Sequence, residues 1–521
     1  MKKNIVSISN ILFVAFLSLL TSCSEDAMDE INRDLDHTND VPAKFILADV
    51  ITATAFSNTG GDLNTYAAAY VEHEVGVHNQ LFRAEHREGE PSSATTFNNV
   101  WRSLYRSLKN ARIVIDKCSE NGSQKGNQVT RGIAEVLAAY NAALLTDMFG
   151  DAPFSEAAIV REDGSPLVMT PKIDRQEEIY KGILQYLDKG IADLQGKDAT
   201  DPLRSYDFIY QGEGAKWLKL AYGLKARYTL RLMKRASDVN AEMEKVLDYA
   251  SKSFTSAGEQ AAFAVYNATQ YNPLFDFQWS RDALAASQSL SEKLVERKDP
   301  RVRRVFVNAK WMQVSGADDE NWFPAPNGTS EQMQFHYNSS VFVFSQTAPT
   351  LLLSYHELLF LKAEALCRLK RTEEAEKVLK EAVMAAIANT EVGVHAAMTA
   401  PTVLNNGGLQ DATTAISPEE AATYFDAQVK PLFAANPLKE TMNQKYLAFF
   451  GASGESTEAY NDIRRLIGLG ENHITLKNPY KFPLRCPYGN SDTTTNPEVK
   501  EAYGNGQYVY TEALWWAGGT R

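Results

Sequence analysis

The sequence predicts a mostly α-helical protein, and three observations carry that prediction. Apolar residues recur at three- and four-residue spacing through long stretches, several of these stretches begin or end on capping residues, and alternating β pattern is scarce. In chain order, a helix is read over 66–76. Trp101, Leu104, Tyr105 and Leu108 begin the next. Ile133, Val136, Leu137, Tyr140, Leu144 and Met148 share one face of another, which stops at Gly150-Asp151-Ala152-Pro153. Tyr180, Ile183, Leu184, Leu187, Ile191 and Leu194 repeat the pattern, with Asp174 as expected N-cap, Glu177 three residues on and Gly196 as the stop. Trp217, Leu220, Ala221, Leu224, Tyr228 and Leu232 make a further helix, and Ser417-Pro418-Glu419-Glu420 caps the last with proline at its first position. The best strand pattern is 339–346, with Val341, Phe342, Val343 and Phe344.

The clearest repeat unit spans 358–383. Leu359, Ala363, Leu366 and Leu369 form one helical face, residues 370–372 a turn, and Ala375, Val378, Leu379, Ala382 and Val383 the second face. Small residues permit close approach of the two helices, so the unit resembles a tetratricopeptide hairpin. Other copies are degenerate, which suits a scaffold of helical hairpins carrying long irregular insertions. Those insertions are read at 257–280, 310–337, 392–415 and 476–506. Long loops in a helical protein usually carry function.

The 521 residues are 44% hydrophobic and 23% charged, with 53 Lys+Arg against 65 Asp+Glu and a net charge of −12. That balance is too apolar for a disordered chain and too acidic for an unaided nucleic-acid binder. Four cysteines in this length make no disulfide framework, and none has CxxC spacing.

The N-terminus carries an address. Lys2 and Lys3 precede an apolar run over 11–20 broken only by Ser18, the pattern of a secretory signal. It is short for a membrane span. Leu20-Thr21-Ser22-Cys23 follows and looks like a bacterial lipobox, so residues 1–22 are read as a signal peptide and Cys23 as the lipidated N-terminus. Residues 23–40 begin with an acidic run lacking hydrophobic period and read as a flexible tether, leaving 41–521 as one domain. No other apolar run is long enough to span a membrane, so the expected attachment is by lipid alone.

Catalytic patterns fail on spacing. In His73-Glu74-Val75-Gly76-Val77-His78 the second histidine is at i+5, about 140° around a helix from the first, whereas a zincin needs i+4. His356-Glu357 has Phe at 360, Gly212-Glu213-Gly214 lacks a third glycine, and neither a GxSxG nor a P-loop occurs. The expectation is a protein without catalytic residues, cofactor or metal.

Several local motifs then coincide. Phe149-Gly150-Asp151 with Pro153-Phe154-Ser155-Glu156-Ala157 closes one helix. Lys216-Trp217-Leu218-Lys219-Leu220-Ala221 leads into Leu224-Lys225-Ala226-Arg227 and Leu230-Arg231. Asp299-Pro300-Arg301, Glu357 with Leu359-Phe360-Leu361-Lys362-Ala363-Glu364-Ala365, Gln444-Lys445-Tyr446-Leu447-Ala448, Arg464-Arg465, and Pro483-Leu484-Arg485 with Asn496 follow in order. Over nearly the whole mature length the chain resembles the SusD/RagB-like nutrient-binding outer-membrane lipoproteins. It departs from their pattern in Tyr446 for the usual tryptophan, in the order Cys486-Pro487-Tyr488, and in lacking Gly-Tyr-Pro after Arg465.

The resemblance implies a tetratricopeptide-like helical body with a ligand face built on irregular insertions. It also implies a lid on a SusC-like, TonB-dependent β-barrel transporter, holding a glycan or other nutrient outside the cell, with the anchor in the outer membrane. Sugars present C–H faces that pack on aromatic rings, and polar side chains fix their hydroxyls. The expected ligand residues are therefore Tyr271, Phe277 and Trp279 in one insertion and Trp311 and Trp322 in the next, with His78, Asn79 and Arg83 secondary. Trp101, Trp217, Trp515 and Trp516 are assigned to structure. A tetratricopeptide-type scaffold for a protein partner and a surface glycosidase are the competing readings.

Overall fold

Helical hairpins stack into the body because each helix presents an apolar stripe that only a neighbour can cover. In a computed structural model of the chain, the described residues are 41–88, 95–161, 163–308, 312–317, 321–411 and 413–521. Within the unit Ala43–Arg521, helix Asn98–Lys117 packs on Gln128–Phe149, which packs on Gln176–Asp193. The last two approach closely because a Cβ on Gly132 would lie 2.8 Å from Leu194 Cγ and 3.1 Å from the Gly190 carbonyl oxygen. Gly214–Arg231 pairs with Val239–Ser251, and Tyr355–Arg368 with Thr372–Met398, the tetratricopeptide-like hairpin. Trp101, Trp217 and Trp516 are buried in this body. Among the described residues no helix is long and apolar enough to cross a membrane.

Short strands tie the insertions down. Glu74–Gly76 pairs antiparallel with Leu284–Ala286, Ala261–Phe263 with Thr350–Leu353, and Phe306–Asn308 with both Gln313–Ser315 and Ser339–Ser340.

Six expectations need correction. The 66–76 helix is two elements, Asp62–Tyr70 and the strand Glu74–Gly76. Asp174 is not the N-cap of the Gln176 helix. Its carboxylate accepts the Phe154 and Ser155 N–H groups at 3.0 and 2.6 Å, and Asp151 accepts the Gln176 N–H at 2.7 Å instead. The 339–346 stretch is a strand only at Ser339–Ser340 and then a 3-10 turn, Val341–Phe344, because a run buried on every side carries no period to distinguish the two. Residues 392–398 belong to the Thr372–Met398 helix. The 257–280 insertion contains the helix Pro273–Arg281, and 476–506 contains Asn490–Thr495 and Pro497–Tyr503.

Several charged residues within the motifs that carry the family resemblance form a buried ionic framework. Arg227 grips Glu357 through two bonds of 2.7 and 2.6 Å. Arg231 reaches both Asp147 and Glu458, and the Tyr180 hydroxyl donates to Asp147 at 2.5 Å. Arg465 grips Glu364 at 2.6 and 2.7 Å, Lys445 meets Asp462 at 2.7 Å, and Arg301 folds back on Asp299 at 2.6 Å. Paired in this way, charges that burial would otherwise exclude hold helices distant in sequence in one register.

Candidate functional site

The site begins with an irregularity in the first helix. Ala43–Ala53 continues into a π-helical turn, Thr54–Thr59, in which the Gly60 N–H donates to the Ala55 carbonyl five residues back at 3.0 Å. Buried polar groups hold that widened turn. Asn58 donates to Ser107 Oγ at 3.1 Å and to Asn141 Oδ1 at 2.7 Å, while Asn141 donates to Thr54 Oγ1 at 2.8 Å. Thr59 Oγ1 donates to the Thr54 carbonyl at 2.8 Å. With Asn58 and Thr59 committed inward, Phe56 turns outward and is 37% exposed. Wide turns of this kind occur often at functional sites. Gly61 closes the turn where a Cβ would lie 2.5 Å from the Ser57 carbonyl oxygen, so no larger residue fits without a shift.

Phe56 forms one wall of a cavity of about 700 Å³ whose other rings are Phe208, Phe263, Tyr266 and Tyr271. Thr52, Thr269, Gln270 and Asp276 supply its hydrogen-bonding groups. The rings brace one another: Phe263 and Tyr266 lie 5.4 Å apart, and Phe56 and Tyr266 6.4 Å. Tyr266 is fixed by a 2.8 Å hydrogen bond with Thr350, and burial pushes its phenol pKa up, so it stays protonated. The 267–272 loop is shaped by Asn267, whose Oδ1 accepts the Thr269 and Gln270 N–H groups at 2.8 and 3.1 Å. Asn272 then caps the Pro273–Arg281 helix, accepting the Leu274 N–H at 2.9 Å with proline at the first helical position.

From Tyr271 an aromatic ladder runs up that helix. Tyr271 meets Phe275 edge-on at 5.4 Å, and Trp279 stacks on Phe275 at 5.4 Å and 15°. Trp279 is 40% exposed, while Phe275 beneath it is buried. Tyr271 and Trp279 therefore share one ladder, and only Tyr271 lines the cavity. Phe277 is half-buried on the core with the Arg281 guanidinium 4.8 Å from its ring. His78 precedes the short helix Asn79–Glu85 and lies near Asp282, where the Pro273–Arg281 helix ends. Asn79 accepts from Arg83 at 3.3 Å within that helix. Neither these residues nor His78 line the cavity. Trp322 packs on Phe306 at 4.6 Å and borders a separate hollow of about 290 Å³. Trp311 and Cys23 lie outside the described residues.

Sequence reasoning missed Phe56, Phe208, Phe263 and Tyr266. The one available signal was Asn58-Thr59-Gly60-Gly61, polar residues and paired glycines interrupting an apolar helix. Among the described residues no group of three or more His, Cys, Asp or Glu is placed to hold a metal ion. What the cavity offers is flat apolar faces with hydroxyl, amide and carboxylate groups at the rim, an arrangement suited to holding a sugar ring.

A family model described as starch-binding, associating with the outer membrane, and named SusD-like, matches residues 37–488. A solved structure of a SusD/RagB family protein from Bacteroides thetaiotaomicron is 56% identical with a TM-score of 0.88, over 92% of this chain and 100% of that one. A chitin-binding protein matches at 21% identity and TM-score 0.69, over 91% of this chain and 100% of that one. A SusD homolog from Bacteroides fragilis matches at 18% and 0.66, over 92% and 100%. These last two share the fold. No curated protein matches.

Proposed function

This chain belongs to the SusD-like family of starch-binding proteins associated with the outer membrane, and from that premise we propose that it captures an oligosaccharide in the Phe56–Tyr271 cavity for delivery to a SusC-like, TonB-dependent β-barrel. The observation that carries this reading is the cavity itself: rings at its wall and Gln270 and Asp276 at its edge. Trp279 extends the surface along the ladder for a longer chain. No chemistry on the ligand is required.

The test is a panel of neutral and acidic oligosaccharides titrated by calorimetry, with product analysis after prolonged incubation. Saturable binding with every oligosaccharide recovered intact is the expected result. Cleavage of a bound member would favour the glycosidase reading, and no binding across the panel would remove the saccharide reading.

The anchor and the partner are tested together. Cys23 follows a lipobox-like Leu20-Thr21-Ser22, so Cys23→Ala should move the protein out of the outer-membrane fraction and abolish acyl mass on its N-terminal peptide. Gentle solubilisation of the tagged wild-type protein should recover a large β-barrel protein with it. Membrane retention of the variant, or repeated recovery of the lipoprotein alone, would count against this assignment.

A further inference from the structure

Beside the aromatic cavity lies a second one of about 610 Å³, and Phe56 lines both. Its far wall is helix Asn98–Lys117, which presents Arg102, Arg106 and Lys109. Spacings of four and three residues put the three cations on one face of the helix. None of them hydrogen-bonds to or pairs with a described residue. By contrast Arg112, on the same helix, is spent on Tyr186 and the Phe154 carbonyl, and Arg227, Arg231 and Arg465 of the helical body are gripped by carboxylates. Ser103 lines the same cavity, and its buried hydroxyl has no hydrogen-bond partner.

Among the described residues of the lining, Asp62 is the one acid. Burial pushes its carboxyl pKa up, and Arg281 nearby opposes that. Three cations against one carboxyl leave a positive concavity on a chain whose net charge is −12. Unpaired cations clustered in a concave site attract anions and focus the field on them. Arginine in particular matches the planar carboxylate and the sulfate oxygens with paired donors.

We propose that the ligand is an anionic oligosaccharide, one sugar ring packing on Phe56 and Tyr271 while a uronate carboxylate or sulfate ester on the same chain enters the Arg102–Arg106–Lys109 cavity. This rests on the saccharide reading of the aromatic cavity and narrows its substrate class. Phe56 lines both cavities, so one chain packed on its ring would span the two.

The test uses the full mature protein and three size-matched oligosaccharide sets: neutral, uronate-bearing and sulfated. Two variants are compared with wild type, Phe56→Ala and the triple variant Arg102→Gln/Arg106→Gln/Lys109→Gln, each checked for an unchanged thermal midpoint. The expected result is at least tenfold tighter binding of one acidic set than of the neutral set. The triple variant should abolish that preference while changing neutral binding less than twofold, Phe56→Ala should weaken both, and the preference should shrink as salt rises. Which acidic set binds identifies the anion. Equal affinity for neutral and acidic sets, or a preference that survives the triple variant, overturns the proposal while Phe56-dependent neutral binding keeps the saccharide reading. Acidic binding that ignores Phe56→Ala overturns the continuity on which the proposal rests. No binding by any set overturns both.

Discussion

Arg465→Met is expected to be among the most destabilising single changes in the chain, costing about 3 to 5 kcal/mol, the usual penalty for leaving a buried charge without its partner. Arg465 is fully buried and holds Glu364 through two hydrogen bonds of 2.6 and 2.7 Å and Asp462 through one of 2.9 Å. Burial pushes the Glu364 carboxyl pKa up, and Arg465 with Arg368 beside it outweighs that and holds the group below its ordinary value. Without Arg465, Glu364 keeps only Arg368, in a site from which water is excluded. Equilibrium unfolding in guanidinium reads the effect as a lowered midpoint. The double variant Arg465→Met/Glu364→Met should recover part of the loss, since removing both members of a buried pair costs less than removing one. Arg371→Ala breaks a pair with Glu374 that lies in solvent, and its midpoint should stay where it is. An Arg465→Met protein with the wild-type midpoint would show that the buried framework does not hold the helices together.

That framework also explains how the sequence could be read for family and not for site. Arg227, Arg231, Glu357, Glu364 and Arg465 fall within the motifs that carry the resemblance, and inside the body they pair with carboxylates or with one another, Asp147 among the partners. The helices themselves were legible from period, as with Trp101 and Trp217, whose apolar faces are buried as the spacing requires. The ligand face was not. Phe56 lies outside every helix that the spacing marks, and the π-turn pinned by Asn58 and Asn141 turns it outward, a tertiary event that local pattern does not encode. Trp279 was read as an irregular-loop residue, yet it rides a nine-residue helix opened by Asn272 and Pro273, too short for a period to emerge. It covers buried Phe275 as well as facing solvent, so Trp279→Ala should lower affinity and stability together.

Phe56 is different, because it presents its ring to the cavity from a turn whose fold is fixed by other groups, whereas Tyr271, like Trp279, also packs on buried Phe275. Asn58 and Thr59 hold the turn under Phe56, and Asn272 holds the helix after Tyr271. Truncating Phe56 should therefore cost about 1 to 3 kcal/mol of binding, roughly tenfold in affinity, with little loss of stability, and Tyr271→Ala should cost the same affinity and some stability as well. A buried aromatic truncated in the core would instead cost about 3 to 5 kcal/mol of folding. The pattern of affinity loss against midpoint separates a binding surface from packing.

The most direct measurement is calorimetric titration of the Phe56→Ala/Tyr271→Ala double variant with the tightest oligosaccharide of the panel, beside a thermal melt of the same preparation. At least a hundredfold loss of affinity is expected, with the midpoint lowered no further than Tyr271→Ala alone lowers it. Wild-type affinity in a folded double variant would place the ligand elsewhere on the molecule and contradict the assignment of this cavity.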